Sequence, residues 1–152
     1  MAVTVGVNVS ATVAYVALVE NGVVLAREPY SFTPGEMLGS ASGLVKFEEV
    51  VARQLAVWEA CQVVVLEPET SYKGTYANVV DRIGIETVFL LAAHRSGIES
   101  YRLSRQKTRS ILALGRGGTF EAIAADRVDP VGPYWRKMRD CAALAALAGE
   151  RG

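Results

Sequence analysis

The opening 25 residues constrain the fold most. Val3, Val5, Val7 and Val9 alternate with Thr4, Gly6 and Asn8, the two-residue period of a strand. The alternation resumes over Thr12–Val19, and Glu20-Asn21-Gly22 follows. Asn-Gly tolerates the positive φ that a two-residue hairpin turn requires, so the segment predicts an antiparallel hairpin with Val23–Arg27 as the returning strand. Tyr30-Ser31-Phe32 predicts a further short strand. Pro34-Gly35 and the Gly/Ser stretch 39–43 predict loop.

Beyond the hairpin the period changes. In residues 44–60, Leu44, Phe47, Val51, Leu55 and Trp58 fall on one helical face. Gln62–Leu66 is a short continuous apolar run, the mark of a strand buried on both sides, and Pro68 stops it. Residues 76–94 predict a second helix with Val79, Val80, Ile83, Phe89 and Leu90 as core candidates and Gly97 as its stop. Glu99–Leu103 predicts a strand, and Ser104 an N-cap for a helix reaching Leu114. Gly115–Gly118 is loop, Thr119–Ala125 a short helix and 126–133, with Pro130 and Pro133, loop again. Tyr134–Ala148 predicts an Ala/Leu-rich final helix ending at Gly149. Hairpin strands followed by alternating helices and strands predict an α/β chain with a mixed sheet and helices on both faces, residues 1–152 forming one domain.

Hydrophobic residues make up 51% of the chain and charged residues 21%, enough apolar side chains to form a core. No apolar run approaches the roughly 20 residues of a membrane span, and the N-terminus lacks the basic region of a secretory leader. Cys61 and Cys141 make neither a disulfide framework nor a zinc site, so a reduced, cytoplasmic protein is expected. A phosphate-binding glycine loop of the Walker type is absent, as is GxGxxG, and His94 is the lone histidine. The net charge of zero conceals an asymmetry. Residues 1–94 carry 5 Lys+Arg against 10 Asp+Glu, and residues 95–152 carry 11 against 6. A basic half can meet an anion, or form a solvated face.

Two carboxylates stand out. Glu67 follows the buried strand, at the strand end where ligands bind in sheets of this kind. Asp140 precedes the small apolar run Cys141–Leu147. Together with Gly6-Val7-Asn8-Val9-Ser10, Tyr15–Leu18, Val63–Glu67, the helix Tyr76–Gly97, Tyr101–Gly115 and Asp140–Ala145, taken in that order, the chain resembles the RuvC family of Holliday-junction resolvases, within the ribonuclease H-like superfamily. The resemblance covers nearly the whole chain. It departs at Asn8, where the family has Asp, and at Lys137, where it has an acid or histidine three residues before the last Asp. A shifted register would instead set Asp140 at the earlier acid and Ala143 at the later.

The resemblance implies a ribonuclease H-like fold and a structure-selective endonuclease that resolves four-way DNA junctions by metal-dependent phosphodiester hydrolysis. Mg²⁺, with Mn²⁺ as substitute, would lie on Asn8, Glu67 and Asp140, with Glu69 as a possible further ligand and Lys137 beside the catalytic group. Asn offers a neutral oxygen in place of a carboxylate, so two divalent ions would meet too little negative charge. Three explanations stay open: a deliberate Asp→Asn replacement, a natural loss of cleavage, or Glu69 supplying the missing acid. Reduced or absent cleavage is therefore expected, and a non-catalytic branched-DNA-binding protein on the same fold is the alternative; an ATP-binding or assembly protein is a third. Candidate DNA contacts are Lys73, Tyr72 and Tyr76 in the loop after Glu67, and Arg105, Lys107 and Arg109 on the basic helix. Symmetric action on two strands implies a homodimer, for which helix 76–94 is the expected interface.

Overall fold

The computed structural model describes residues 2–69 and 72–152. Strand β1 (Val3–Ser10) pairs antiparallel with β2 (Val13–Glu20), and β2 with β3 (Val23–Leu25). Asn21 and Gly22 both take positive φ, 52° and 76°, as the Asn-Gly turn requires. A short β4 (Ser31–Phe32) lies on β2 at Ala14 and Tyr15. The other edge of β1 pairs in parallel with β5 (Ala60–Leu66), which pairs in parallel with β6 (Glu99–Leu103). The result is the expected mixed sheet of six strands, ordered β3-β2-β1-β5-β6 with β4 alongside β2.

The two faces are covered differently. Helices α1 (Ala41–Val57) and α2 (Tyr76–Arg95) enclose one core with Val5, Val7, Phe47, Leu55, Trp58 and Phe89. Phe89 packs edge-on against Phe32 and Phe47, with ring centroids 5.3 and 6.2 Å apart. Three shorter helices, α3 (Arg105–Leu112), α4 (Phe120–Arg127) and α5 (Asp140–Arg151), gather on the other face. Ser104 caps α3 as expected, accepting from the Lys107 N–H.

Four expectations need correction. The Gly/Ser stretch 39–43 is not all loop, because Ser40 caps α1 by accepting from the Gly43 N–H and the helix begins at Ala41. Of the core candidates on α2, Val80 and Ile83 are exposed and Val79 and Leu90 half-buried; the inward face is Ile85, Val88, Phe89, Ala92 and Ala93, with Arg82 and Glu86. The last helix starts at Asp140 rather than Tyr134, because Tyr134 and Lys137 take φ of 55° and 63°, which an α-helix cannot hold. It also runs through Gly149, which is a contact rather than a stop: a Cβ there would lie 2.6 Å from Val64 Cγ2. Gly6 serves the same end more severely, since a Cβ would meet the Ala142 carbonyl oxygen at 1.9 Å. Helix α5 thus lies directly on the backbone of β1.

Candidate nucleic-acid interface

That close approach sets the N-terminus of α5 against the C-terminal ends of β1 and β5. Asn8 stands opposite Leu66 in the parallel register, so Asn8, Glu67 and Asp140 reach the same end of the sheet. Asn8 is buried. Its Nδ2 donates to the Met138 carbonyl at 3.0 Å and lies 3.5 Å from the Lys137 carbonyl. Two carbonyls fix this orientation, because the reverse one would oppose oxygen to oxygen. Asn8 Oδ1 has no hydrogen-bond partner among the described residues.

Asp140 is fully buried in the first turn of α5, where unpaired N–H groups favour negative charge. Its Oδ1 accepts from the Cys141 N–H at 2.7 Å and its Oδ2 is unpartnered. Burial, then the Asp140 charge, pushes the adjacent Cys141 thiol far above its usual range. Glu67 is half-buried and Glu69 exposed.

Arginines occupy the space between these acids. Arg105 donates from Nε to the Glu67 carbonyl at 3.0 Å. Its Nη1 lies 3.5 Å from Glu121 and 3.6 Å from Glu69, and its guanidinium covers the Phe120 ring at 5.0 Å. Its side chain is only 11% exposed, so it forms the cleft wall rather than a free surface. Arg82 donates to the carbonyls of Val9 and Leu66 and pairs with Glu86 at 2.9 Å; Glu86 also holds Arg102 at 3.1 Å. Burial lowers the Arg82 pKa, and Glu86 opposes the shift. Sequence reasoning passed over this residue; the signal was an Arg–Glu pair at i, i+4 within an apolar helix. Arg139, also missed, is buried. It donates to the carbonyls of Val16, Val131 and Pro133 and lies between the Tyr30 and Trp135 rings, anchoring the segment that carries Lys137.

These groups line a cleft of about 330 Å³, walled by Asn8, Ser10, Glu69, Tyr72, Arg82, Arg105, Glu121 and Lys137. It continues past Pro68 and Arg105 into a second concavity of about 280 Å³ that includes Glu67, Gln106, Arg109 and Arg116. The trough thus brings together Asn8, Glu67, Glu69, Lys137, Tyr72, Arg105 and Arg109. It does not include Asp140, sealed beneath it, nor Lys73, Tyr76 and Lys107, which are exposed outside it. Arg109 is turned to the carbonyls of Gly115, Gly117 and Gly118 and fixes the glycine loop that presents Arg116.

No protein-family model matches the chain, and no curated protein matches it in sequence. Solved structures do match. The RuvC of T. thermophilus in complex with Holliday junction substrate aligns over 99% of this chain and 94% of that one, at 13% identity and a TM-score of 0.69. A Thermus thermophilus RuvC structure aligns over 98% and 93%, at 16% identity and a TM-score of 0.65. The chain has a RuvC-type resolvase fold. At these identities the likeness speaks for the fold.

A two-metal centre implied by that fold does not fit the residues present. The described residues contain no group of three or more His, Cys, Asp or Glu placed to hold a metal ion. Asn8 turns its amide nitrogen to two carbonyls, and Arg105 takes up Glu69 and Glu121. The unpartnered Asn8 Oδ1 and Asp140 Oδ2 are hard donors and the Glu67 carboxylate makes no ion pair among the described residues, but Glu67 and Asp140 bring two negative charges at most, too few for two octahedral divalent ions. Among the described residues no helix is long and apolar enough to cross a membrane.

Proposed function

We propose that this chain recognises branched DNA through the trough at the C-terminal end of β1 and β5, and that its present residues bind the junction rather than cut it. The observation that carries this reading is Asn8. Its amide is a working part of the site, donating to Met138, so the position that would bear a metal-binding carboxylate holds a neutral group amid Arg82, Arg105 and Lys137. The fold of a junction-bound resolvase over nearly the whole chain supports the choice of ligand. Contacts to phosphate give recognition of strand geometry rather than base sequence.

Gel shifts with a four-way junction, a duplex and a single strand test it. The reading expects preference for the junction and affinity that falls steeply with salt as counterions are released. Equal affinity for duplex and junction would overturn it.

A second copy of the chain would present two such troughs about a two-fold axis, as the symmetry of a four-way junction asks. Its interface is the outer face of α2, where Val80, Ile83 and Leu91 are 45–53% exposed beside Val45 of α1. Phe89, fully buried within the chain, takes no part.

Metal-dependent cleavage is the second reading, favoured by Glu67 at the strand end and by the two unpartnered oxygens. It predicts junction cutting with Mg²⁺ or Mn²⁺ once Asn8→Asp restores a charge.

A further inference from the structure

The cleft holds one more arrangement that a carboxylate centre would not. Lys137 is pinned at its mouth. Its carbonyl faces the Asn8 amide, and its φ of 63° turns the chain there, two residues before the Arg139 anchor. Its side chain is exposed and makes no ion pair among the described residues. Opposite, Arg105 is tied at Nε and Nη1, while Nη2 makes no hydrogen bond among the described residues. Arg82 also lines the cleft, its charge balanced by buried Glu86 at 2.9 Å. The carboxylates in that lining, Glu69 and Glu121, are both engaged by Arg105. Lys137 is therefore the one charge of that lining without a counter-ion among the described residues. An all-carboxylate centre would repel a phosphate until metal arrived; an unpaired Lys137 attracts it directly.

We propose that the cleft seats one phosphodiester group of the DNA backbone without a divalent metal, Lys137 Nζ and Arg105 Nη2 donating to its non-bridging oxygens. The inference rests on the DNA-binding reading above and assigns that reading's central contact. Lys137 then stands in for a metal ion, as a charge that holds phosphate but activates no water. Asn8 fits the same role, since a further carboxylate beside the seated phosphate, added to that of buried Asp140, would oppose it.

The test measures junction affinity across a salt series, in EDTA and in Mg²⁺ at matched ionic strength, for wild type, Lys137→Met and Asn8→Asp. Lys46→Met on the far face of the sheet is the charge control. One lost phosphate contact reduces the log–log salt slope by about 1. Lys137→Met should show that reduction equally in EDTA and in Mg²⁺, with Lys46→Met unchanged. Asn8→Asp should bind more weakly in EDTA and regain affinity with Mg²⁺, circular dichroism confirming that it is folded. An unchanged slope in Lys137→Met would overturn the inference. So would wild-type binding that appears only with Mg²⁺, which leaves the DNA-binding reading standing. Failure of wild type to bind the junction under either condition would remove both.

Discussion

The two faces of the sheet are built on different principles. On the α1/α2 face, Phe32, Phe47, Trp58 and Phe89 fill the space with rings that meet edge to face, and side chains keep the backbones apart. On the α5 face Ala142 and Ala146 lie at Gly6 and Gly149 lies at Val64, so backbones come into contact, while Leu103, Phe120, Trp135 and Leu144 fill the core around them. The first arrangement is a reservoir of buried area. The second is a positioning device, because the N-terminus of α5 carries Asp140 and, just before it, the turn that sets Met138 against Asn8. The aromatic core and the placing of Asn8 and Asp140 thus come from opposite sides of one sheet, with Arg82 of α2 reaching the cleft from the first.

Paired substitutions can break that division. Phe89→Ala should remove about 3–5 kcal/mol in urea unfolding yet leave junction affinity of the folded fraction near wild type. Gly6→Ala adds one methyl group where 1.9 Å is available. It should destabilise by about 3 kcal/mol and also abolish junction binding, as α5 is forced off β1. Equal loss of binding in both variants would erase the distinction between the faces. Asn8→Asp comes next. Its carboxylate would oppose the Met138 carbonyl in place of a donor, a loss of about 1–3 kcal/mol read from the denaturation midpoint.

The same division explains how much was legible in the sequence. Valine alternation, the Asn-Gly turn, the Ser104 cap and the Phe47–Leu55 stripe all act locally, and each marked its element. The entry to α5 did not, because Tyr134 and Lys137 adopt positive φ without being glycine, and contacts distant in sequence, the Arg139 anchor, the Asn8 bonds and the Tyr15–Tyr134 ring pair, hold them there. Gly149 read as a helix stop for want of any local sign that Val64 lies against it. Asn8, Glu67 and Asp140 were placed at one sheet end by the resemblance. The Arg82 and Arg105 networks were not foreseen, since the Arg82–Glu86 pair at helical spacing looks the same on a surface as in a core and Arg105 meets partners distant in sequence.

Smaller effects sharpen the comparison further. Ile83→Glu on the outer face of α2 should change chain stability by no more than about 0.5 kcal/mol, while shifting the sedimentation coefficient from dimer to monomer. An unchanged oligomeric state would remove α2 as the interface. In thiol labelling of the native protein, exposed Cys61 should react and Cys141, buried on the first turn of α5 with its thiol pushed up by burial, should not. Both should react in denaturant. Native labelling of Cys141 would mean that α5 leaves the sheet readily and cannot fix the site.

The central claim is that the trough holds a branched strand without cutting it. It is tested most directly by incubating excess wild-type protein with an end-labelled four-way junction in Mg²⁺ or Mn²⁺, and resolving the strands on a denaturing gel. The account predicts a fully bound junction whose strands remain intact. Symmetric nicks made by the wild-type chain, and lost in Glu67→Gln or Asp140→Asn, would contradict it.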